Sequence, residues 1–123
     1  MTARSVRSSV SYHAGQAAEQ QVASEYERLG FLIEHRRWRG AGGEIDLIAR
    51  NADGVVFIEV KKSSSFDLAA ARINRRQMDR ICASAAQFLE HEPAGQLTNT
   101  RFDAALVDAS GAVQIIENAF GQV

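Results

Sequence analysis

The sequence predicts a mixed α/β domain in which one β-sheet is flanked by helices, in the order α-β-β-β-α-β-β. Two segments with helical periodicity and five short apolar segments of strand length carry this prediction. A chain of 123 residues is long enough to bury one hydrophobic core. We assign a flexible polar tail to residues 1–13 and a single domain to residues 14–123.

The helices are predicted from apolar residues that recur every three or four positions. The first covers about residues 14–29 and stops at Gly30. The second begins after Asn74, which together with Gln77 resembles a capping box, and runs to about Glu90. Before it, the segment SSSFDLAAAR is interpreted as a loop or a short helix.

The five apolar segments are predicted to be strands, whose side chains alternate between the two faces of a sheet. Their approximate bounds are 31–38, 44–49, 55–61, 101–107 and 112–118. The second and third are joined by Asn-Ala-Asp-Gly, a composition typical of a hairpin turn. These two strands are the most apolar part of the chain, yet they contain charged residues.

Composition excludes several classes of protein. The net charge of −1 excludes a global basic field, so any nucleic-acid surface has to be a local patch. The single cysteine, Cys82, excludes an internal disulfide and a cysteine-rich zinc site. No apolar run approaches the length of a membrane span, and the polar start lacks a signal-peptide core. We therefore expect a cytoplasmic protein with no membrane partner.

The charged residues of the hairpin should lie close together on one face. Alternation places Glu44 and Asp46 on one face of their strand, and Glu59 and Lys61 on one face of the next. A four-residue loop at 51–54 would pair Arg50 with Val55 and set Asp46 directly across from Glu59. A two-residue loop at 53–54 would instead set Asp46 across from Lys61 and diagonal to Glu59.

Two carboxylates in such positions repel each other by roughly 3 kcal/mol at about 5 Å and an effective dielectric of 20. A sheet tolerates this repulsion if Lys61 neutralises part of it, if the carboxyls share a proton, or if a divalent cation binds. Carboxylate oxygens suit a hard cation such as Mg²⁺. The alternative is an exposed sheet face on which the charges form ordinary surface salt bridges.

The spacing of Asp46, Glu59 and Lys61 resembles the D-x(n)-E-x-K pattern of the PD-(D/E)xK nucleases. The segments GEIDLIA, VFIEVK, RFDAAL and IIENAF resemble the uncharacterised YraN family of bacterial proteins. The resemblance covers about residues 15–120. It implies a restriction-endonuclease-like fold, related to that of archaeal Holliday-junction resolvases.

The resemblance also implies roles for particular residues. Asp46 matches the metal-binding aspartate of the superfamily, Glu59 the second metal-binding carboxylate, and Lys61 the catalytic lysine. Glu19 matches a first-helix glutamate that resolvase-like members add to the metal site, although its position equally suits a solvated border residue. The implied cofactor is Mg²⁺ or Mn²⁺, and Glu44 either assists or merely flanks the site.

Three positions depart from the family pattern. Ala18 replaces a glycine of the first-helix motif, Lys62-Ser63 follow the Glu-Val-Lys triplet where an arginine is usual, and Gln77-Met78 stand where the family has a Lys-Gln pair.

Basic residues occur in two groups that suit nucleic-acid binding. Arg36, Arg37 and Arg39 surround Trp38, and arginines bind phosphates while a tryptophan stacks on an unpaired base. Arg75 and Arg76 stand at the start of the second helix, a natural phosphate site. The alternatives are a half-buried tryptophan at the end of an edge strand, and a solvated helix face.

Together these observations lead us to expect a metal-dependent phosphodiesterase that acts on DNA, including branched or structured DNA. The alternative is a catalytically inactive module of the same fold that binds nucleic acid or a protein partner. A homodimer formed through a sheet edge is a further arrangement that the sequence leaves open.

Overall fold

The computed structural model describes residues 3–120, and their side chains from residue 15 onward. The helices in this range are α1 (Ala3–Arg28), α2 (Phe66–Ala70) and α3 (Arg75–Leu89), followed by a 3₁₀ turn at Gly95–Leu97. The strands are β1 (Leu32–Gly40), β2 (Gly43–Asn51), β3 (Gly54–Lys62), β4 (Thr100–Val107) and β5 (Val113–Ile116). The predicted fold class and element order are confirmed.

Helix α1 begins upstream of its predicted start near residue 14. The flexible tail predicted at residues 1–13 lies outside the part of the chain whose side chains are described, and it stays a prediction. In the described part of the chain, no helix is both long and apolar enough to cross a bilayer.

The five described strands form one mixed sheet in the order β1-β2-β3-β4-β5. β1, β2 and β3 form antiparallel pairs, β3 and β4 are parallel, and β4 and β5 are antiparallel. Parallel strands need a long crossover, and α2 and α3 supply it. The segment interpreted as a loop or a short helix is therefore helix α2, capped by the Ser65 hydroxyl, which accepts a hydrogen bond from Leu68 N at 3.1 Å.

Buried apolar side chains cover both faces of the sheet. On the face that packs against α1, the core contains Ala18, Val22, Ala23, Tyr26, Leu47, Ala49, Val56, Ile58, Ala105 and Val107. On the face that packs against α3, it contains Ile45, Ile48, Val55, Phe57, Ile81, Ala85, Phe88, Leu89 and Phe120. Because helices cover both faces, three charged residues of the central strands, Glu59, Lys61 and Asp103, are buried.

The β2–β3 hairpin has the first of the two predicted registers. Arg50 pairs with Val55, and the ladder extends one pair further to Asn51 and Gly54. The Asn51 side chain accepts hydrogen bonds from Asp53 N at 2.9 Å and Gly54 N at 3.2 Å, which fixes the turn. Gly54 has φ +151°, and an added Cβ would lie 2.2 Å from Asn99 O, so both conformation and space require glycine here.

Strict alternation along β2 fails at one residue. Leu47 and Ala49 face α1 and Ile48 faces α3, in keeping with strand alternation, but Ile45 also lies on the α3 face instead of sharing the face of Leu47. The described β2–β3 ladder ends at Leu47 and Ile58, whereas the pairing of β2 with β1 continues through Trp38 and Ile45. The change of face therefore falls at Asp46, next to the left-handed backbone of Arg37 on β1.

Strand β1 is an edge strand with two irregularities. Its register against β2 shifts between Ile33 and His35, which marks a bulge. Arg37 has φ +52°, a left-handed backbone conformation that is uncommon for any residue with a side chain. Both features interrupt the regular row of backbone groups that an edge strand presents to other chains.

A buried polar network lies between α1 and the β4–β5 region. The Asp103 carboxylate is fully buried, accepts a hydrogen bond from the Tyr26 hydroxyl at 2.6 Å, and pairs with Arg101 at 2.8 Å. It also accepts a hydrogen bond from Asn118 N at 3.0 Å. Burial and the bond to Asp103 raise the pKa of Tyr26 above its usual range. Asp103 therefore has a structural role: it links α1 to strand β4 and to the residues after β5.

Candidate active site

The candidate site lies where the β2–β3 ladder ends. The Asp46 carboxylate accepts a hydrogen bond from Val60 N at 2.8 Å, so it binds a backbone group beyond the last described pair of the ladder. In the same register, the position across from Asp46 is Glu59. The predicted juxtaposition of these two carboxylates therefore follows from the hairpin register.

Glu59 and Lys61 lie on the α3 face of β3 and are both buried. The Lys61 ammonium lies 3.1 Å from the Glu59 carboxylate. The side chain of Gln77, in the first turn of α3, contacts both groups: its amide nitrogen donates to Glu59 at 2.9 Å and its oxygen accepts from Lys61 at 2.7 Å. Residues of three elements, β2, β3 and α3, thus form the site.

The electrostatics of the carboxyl pair reflect burial first and the contact between the two carboxyls second. Burial, followed by repulsion from Glu59, raises the pKa of Asp46 to about 7, against the opposing hydrogen bond from Val60. Burial also raises the pKa of Glu59, against the opposing effect of Lys61. Burial therefore outweighs the compensation that Lys61 gives to the two carboxyls, and a bound proton or cation is favoured at this position.

Glu19 lies on α1, close enough that its charge raises the pKa of both Asp46 and Glu59. Its carboxylate is paired with the Arg37 guanidinium at 3.0 Å. Among the described residues, no three His, Cys, Asp or Glu side chains are grouped so that they could hold an ion. Glu19 is therefore near the carboxyl pair but is bound to an arginine.

Other predicted residues lie outside this cluster. Glu44 is exposed and pairs with Arg39 at 3.5 Å on the surface. The Trp38 ring packs edge-on against Phe88, with 5.4 Å between ring centroids, which supports the half-buried alternative over base stacking. Arg36, Arg75 and Arg76 are exposed, and Arg75 pairs with Asp79 at 3.3 Å.

The donor set fits a partly hydrated divalent cation. Mg²⁺ is commonly bound by one or two carboxylates while it keeps several of its waters. Asp46 and Glu59 offer two such carboxylates, and burial raises the pKa of each. The chemistry of the donors therefore suits Mg²⁺ or Mn²⁺ better than a softer metal, for which nitrogen or sulfur ligands would be needed.

Gln77 is the site residue that sequence reasoning missed. A capping box would have the Gln77 side chain bind the backbone of Asn74 at the helix terminus. The other bond of the box is present, because Asn74 Oδ1 accepts a hydrogen bond from Gln77 N at 2.8 Å. The Gln77 side chain, however, points to Glu59 and Lys61. This contact forms because α3 packs on β3, and it joins residues that lie more than ten positions apart in the sequence.

Replacing Gln77 with Met should lower the free energy of unfolding by about 1–2 kcal/mol, because Glu59 and Lys61 each lose a buried hydrogen-bond partner. Denaturant or thermal melts measure this loss. The matched control is Gln20→Met on α1, where the glutamine is exposed and its side-chain amide donates to Ser24 at 3.2 Å. Equal stabilities of the two variants would show that Gln77 contributes nothing to the cluster.

Comparison with known proteins identifies relatives over almost the whole chain. The model of the family described as "Uncharacterised protein family UPF0102" matches residues 18–107. A UPF0102 protein of Cereibacter sphaeroides is 65% identical over 111 residues, which cover 90% of this chain and 95% of that protein.

More distant relatives agree. A UPF0102 protein of Ruegeria pomeroyi is 54% identical over 121 residues, 98% of each chain. One of Dinoroseobacter shibae is 39% identical over 116 residues, which cover 94% of this chain and 87% of that protein. The resemblance to the YraN family is thereby confirmed, and the chain belongs to the uncharacterised protein family UPF0102.

Proposed function

We propose that this protein is a metal-dependent phosphodiesterase that acts on DNA. The observation that carries the proposal is the cluster of Asp46, Glu59 and Lys61 at the point where the β2–β3 ladder ends. Two largely buried carboxyl groups that share one ammonium group suit a cation and a phosphate better than they suit a structural ion pair. A structural pair would need one carboxylate, and the second raises the energy of the site.

In this proposal Asp46 and Glu59 would hold Mg²⁺ or Mn²⁺. When bound, the cation supplies Lewis-acid polarisation of the phosphate and lowers the pKa of a bound water. Lys61 would orient that water or neutralise charge that develops on the phosphate. Gln77 would keep the Lys61 ammonium and the Glu59 carboxylate in place through its two hydrogen bonds.

The surroundings of the cluster support an anionic polymer as the substrate. Arg36 and Arg37 lie on the β1 side of the cluster, and Arg75 and Arg76 lie at the start of α3, next to Gln77. Basic side chains on both sides of the carboxylates would hold the phosphates that flank the one attacked.

A homodimer remains part of the proposal. For this dimer the edge strand β5 is better suited than β1, because Val113–Ile116 carries no charge.

Cleavage assays on a panel of linear, nicked, flapped and four-way DNA, with Mg²⁺ or Mn²⁺, test the proposal. We expect cleavage of at least one substrate with metal, and none in EDTA. If the protein binds every substrate and cuts none, with either metal, the proposal is wrong.

A second candidate is a non-catalytic module that binds nucleic acid or a partner. The observation in its favour is that Lys61 and Glu59 form an ion pair and both are hydrogen-bonded to Gln77. These three residues therefore have partners without a further group. Salt-sensitive DNA binding without cleavage in Mn²⁺ would select this candidate.

Replacing Arg36, Arg37 and Arg39 together with Ala should weaken DNA binding and flatten its salt dependence. Each lost phosphate contact should lower the log–log salt slope by about 0.9 for duplex DNA. Binding titrations at several salt concentrations measure the slope. Arg28→Ala on α1 is the charge control, because Arg28 is paired with Glu25 at the far end of the helix. A triple variant with the wild-type slope would show that these arginines do not contact phosphates.

A further inference from the structure

A polar pocket lies between helix α1 and strand β1, beside the carboxylate cluster. It is lined by Gln16, Glu19, Gln20, Arg36 and Arg37 and has a volume of about 410 Å³. Arg36 and Arg37 are neighbours in sequence and would point to opposite faces of a regular strand. The left-handed backbone of Arg37 breaks that alternation, so that both residues line one pocket.

The pocket has the composition of a phosphate site. Guanidinium and amide groups donate hydrogen bonds, and arginine matches the geometry of phosphate oxygens. An unfavourable backbone conformation persists only where the surrounding structure maintains it, and such conformations cluster at functional sites. A surface salt bridge alone would not need this conformation, because a long side chain reaches a neighbouring carboxylate from ordinary strand geometry.

Glu19 connects this pocket to the carboxylate cluster. Its carboxylate is held by Arg37 at 3.0 Å, and it is only slightly exposed. In the β1–β2 ladder, Arg36 pairs with Leu47 and Trp38 with Ile45, so Arg37 falls across from Asp46. Any cation held by Asp46 and Glu59 therefore competes with Arg37 for the charge of Glu19.

We propose that a phosphate of the nucleic-acid backbone binds in this pocket and pairs with Arg37 in place of Glu19. Glu19 is then released and joins Asp46 and Glu59 at the cation. The inference rests on the proposed function and adds its regulation. Without nucleic acid, the protein holds the cation through two carboxylates and binds it weakly. With a phosphate in the pocket, the third carboxylate completes the site, so metal and nucleic acid bind with positive cooperativity.

The first test uses no DNA and no measure of activity. Mn²⁺ is titrated into the wild-type protein, Arg37→Gln and the matched control Arg36→Gln, and the dissociation constant is measured by calorimetry. Both variants remove one positive charge from the same pocket, but only Arg37→Gln breaks the contact with Glu19. We expect Mn²⁺ to bind Arg37→Gln at least about fivefold more tightly than Arg36→Gln, the lower range of allosteric couplings.

Two further variants make this result specific. Adding Glu19→Gln to Arg37→Gln should remove the gain, because the released carboxylate is what tightens Mn²⁺ binding. Arg37→Asn should reproduce the Arg37→Gln result, since Asn tolerates a left-handed backbone and guards against a folding defect. Equal Mn²⁺ affinities of Arg37→Gln and Arg36→Gln would overturn the inference, as would a gain that persists without Glu19.

The second test measures the cooperativity directly. In a Lys61→Ala background, which is expected not to cut, the affinity for a DNA oligonucleotide is measured with and without Mn²⁺. Thermodynamic linkage requires each ligand to tighten the other by the same factor. We expect Mn²⁺ to tighten DNA binding in this background, and Glu19→Gln to abolish that effect. A metal effect that is unchanged by Glu19→Gln would overturn the inference.

Failure of this inference is distinguishable from failure of the proposed function. If Asp46→Asn leaves Mn²⁺ binding unchanged, the carboxylate pair is not the metal site, and the proposed function fails together with the inference. If Mn²⁺ binding needs Asp46 but does not respond to Arg37 or Glu19, only the coupling through Glu19 is wrong.

Discussion

Asp46→Asn, Glu59→Gln and Lys61→Ala should each reduce DNA cleavage at least about 100-fold while DNA binding survives. A loss of this size is typical when one group that stabilises transition-state charge is removed. In the proposed site the three groups act on one phosphate as a unit, since Glu59 contacts Lys61 at 3.1 Å and its charge acts on Asp46. The losses should therefore not add, and a double variant should be no worse than the poorer single variant.

The measurement compares cleavage rates under single-turnover conditions with DNA affinities from binding titrations. Lys62→Ala is the matched control for Lys61→Ala, because it removes a lysine from the next position of β3, whose side chain alternates to the other face. Full activity of purified Lys61→Ala would place the site elsewhere. Equal loss of activity in Lys62→Ala would indicate that the lysines act only through general charge.

Local sequence predicted the hairpin well, because its information lies within a few residues. Asn51 and Gly54 fix the turn, the turn fixes the register, and the register brings Asp46 to the level of Glu59. Alternation failed at Ile45, which lies on the α3 face although it is still paired with Trp38 of β1. The change of face falls where the β2–β3 ladder ends and where Arg37 has a left-handed backbone, and the sequence signals neither feature.

The remaining site features depend on how separate elements pack. Gln77 contacts Glu59 and Lys61 only because α3 packs on their face of the sheet. Trp38 packs against Phe88 of α3 for the same reason. Nothing in the composition of β1 indicates that Arg37 adopts a left-handed backbone. That conformation decides which arginines face α1, so the pairing of Arg37 with Glu19 was not accessible from the sequence.

The second prediction concerns stability and needs no substrate. In the metal-free protein, Asp46→Asn should be more stable than wild type above pH 7, by about 1–3 kcal/mol. The folded pKa of Asp46 is about 7, well above the value of about 3.9 in an unfolded chain. Folding therefore favours the protonated carboxyl, and wild-type stability falls as pH rises from about 4 to 7.

Several features set the size of this effect. A shift of about three pKa units corresponds to roughly 4 kcal/mol. Asn keeps an acceptor for Val60 N but loses the charge-assisted strength of that hydrogen bond, which reduces the gain. The variant should thus melt several degrees higher than wild type at pH 8, and the difference should shrink toward zero near pH 4. Asp53→Asn, at the exposed turn of the same hairpin, is the control and should show no such trend.

Mn²⁺ should reverse the order of stability of the wild-type protein and Asp46→Asn. At about ten times its dissociation constant, Mn²⁺ adds roughly 1.4 kcal/mol to the stability of a protein that binds it only when folded. Wild type should gain this amount, whereas Asp46→Asn, which has lost a charged ligand, should gain much less. If the cluster is only a buried ion-pair network, the opposite is expected: Asp46→Asn loses a charge that interacts with Lys61, is less stable at pH 8, and neither protein responds to Mn²⁺. Thermal melts of both proteins at pH 4 and pH 8, in EDTA and in Mn²⁺, separate the two. If the variant is destabilised and the wild type does not respond to Mn²⁺, the carboxylate pair has no catalytic role, because burial of Asp46 and its repulsion by Glu59 are what make a cation favourable there.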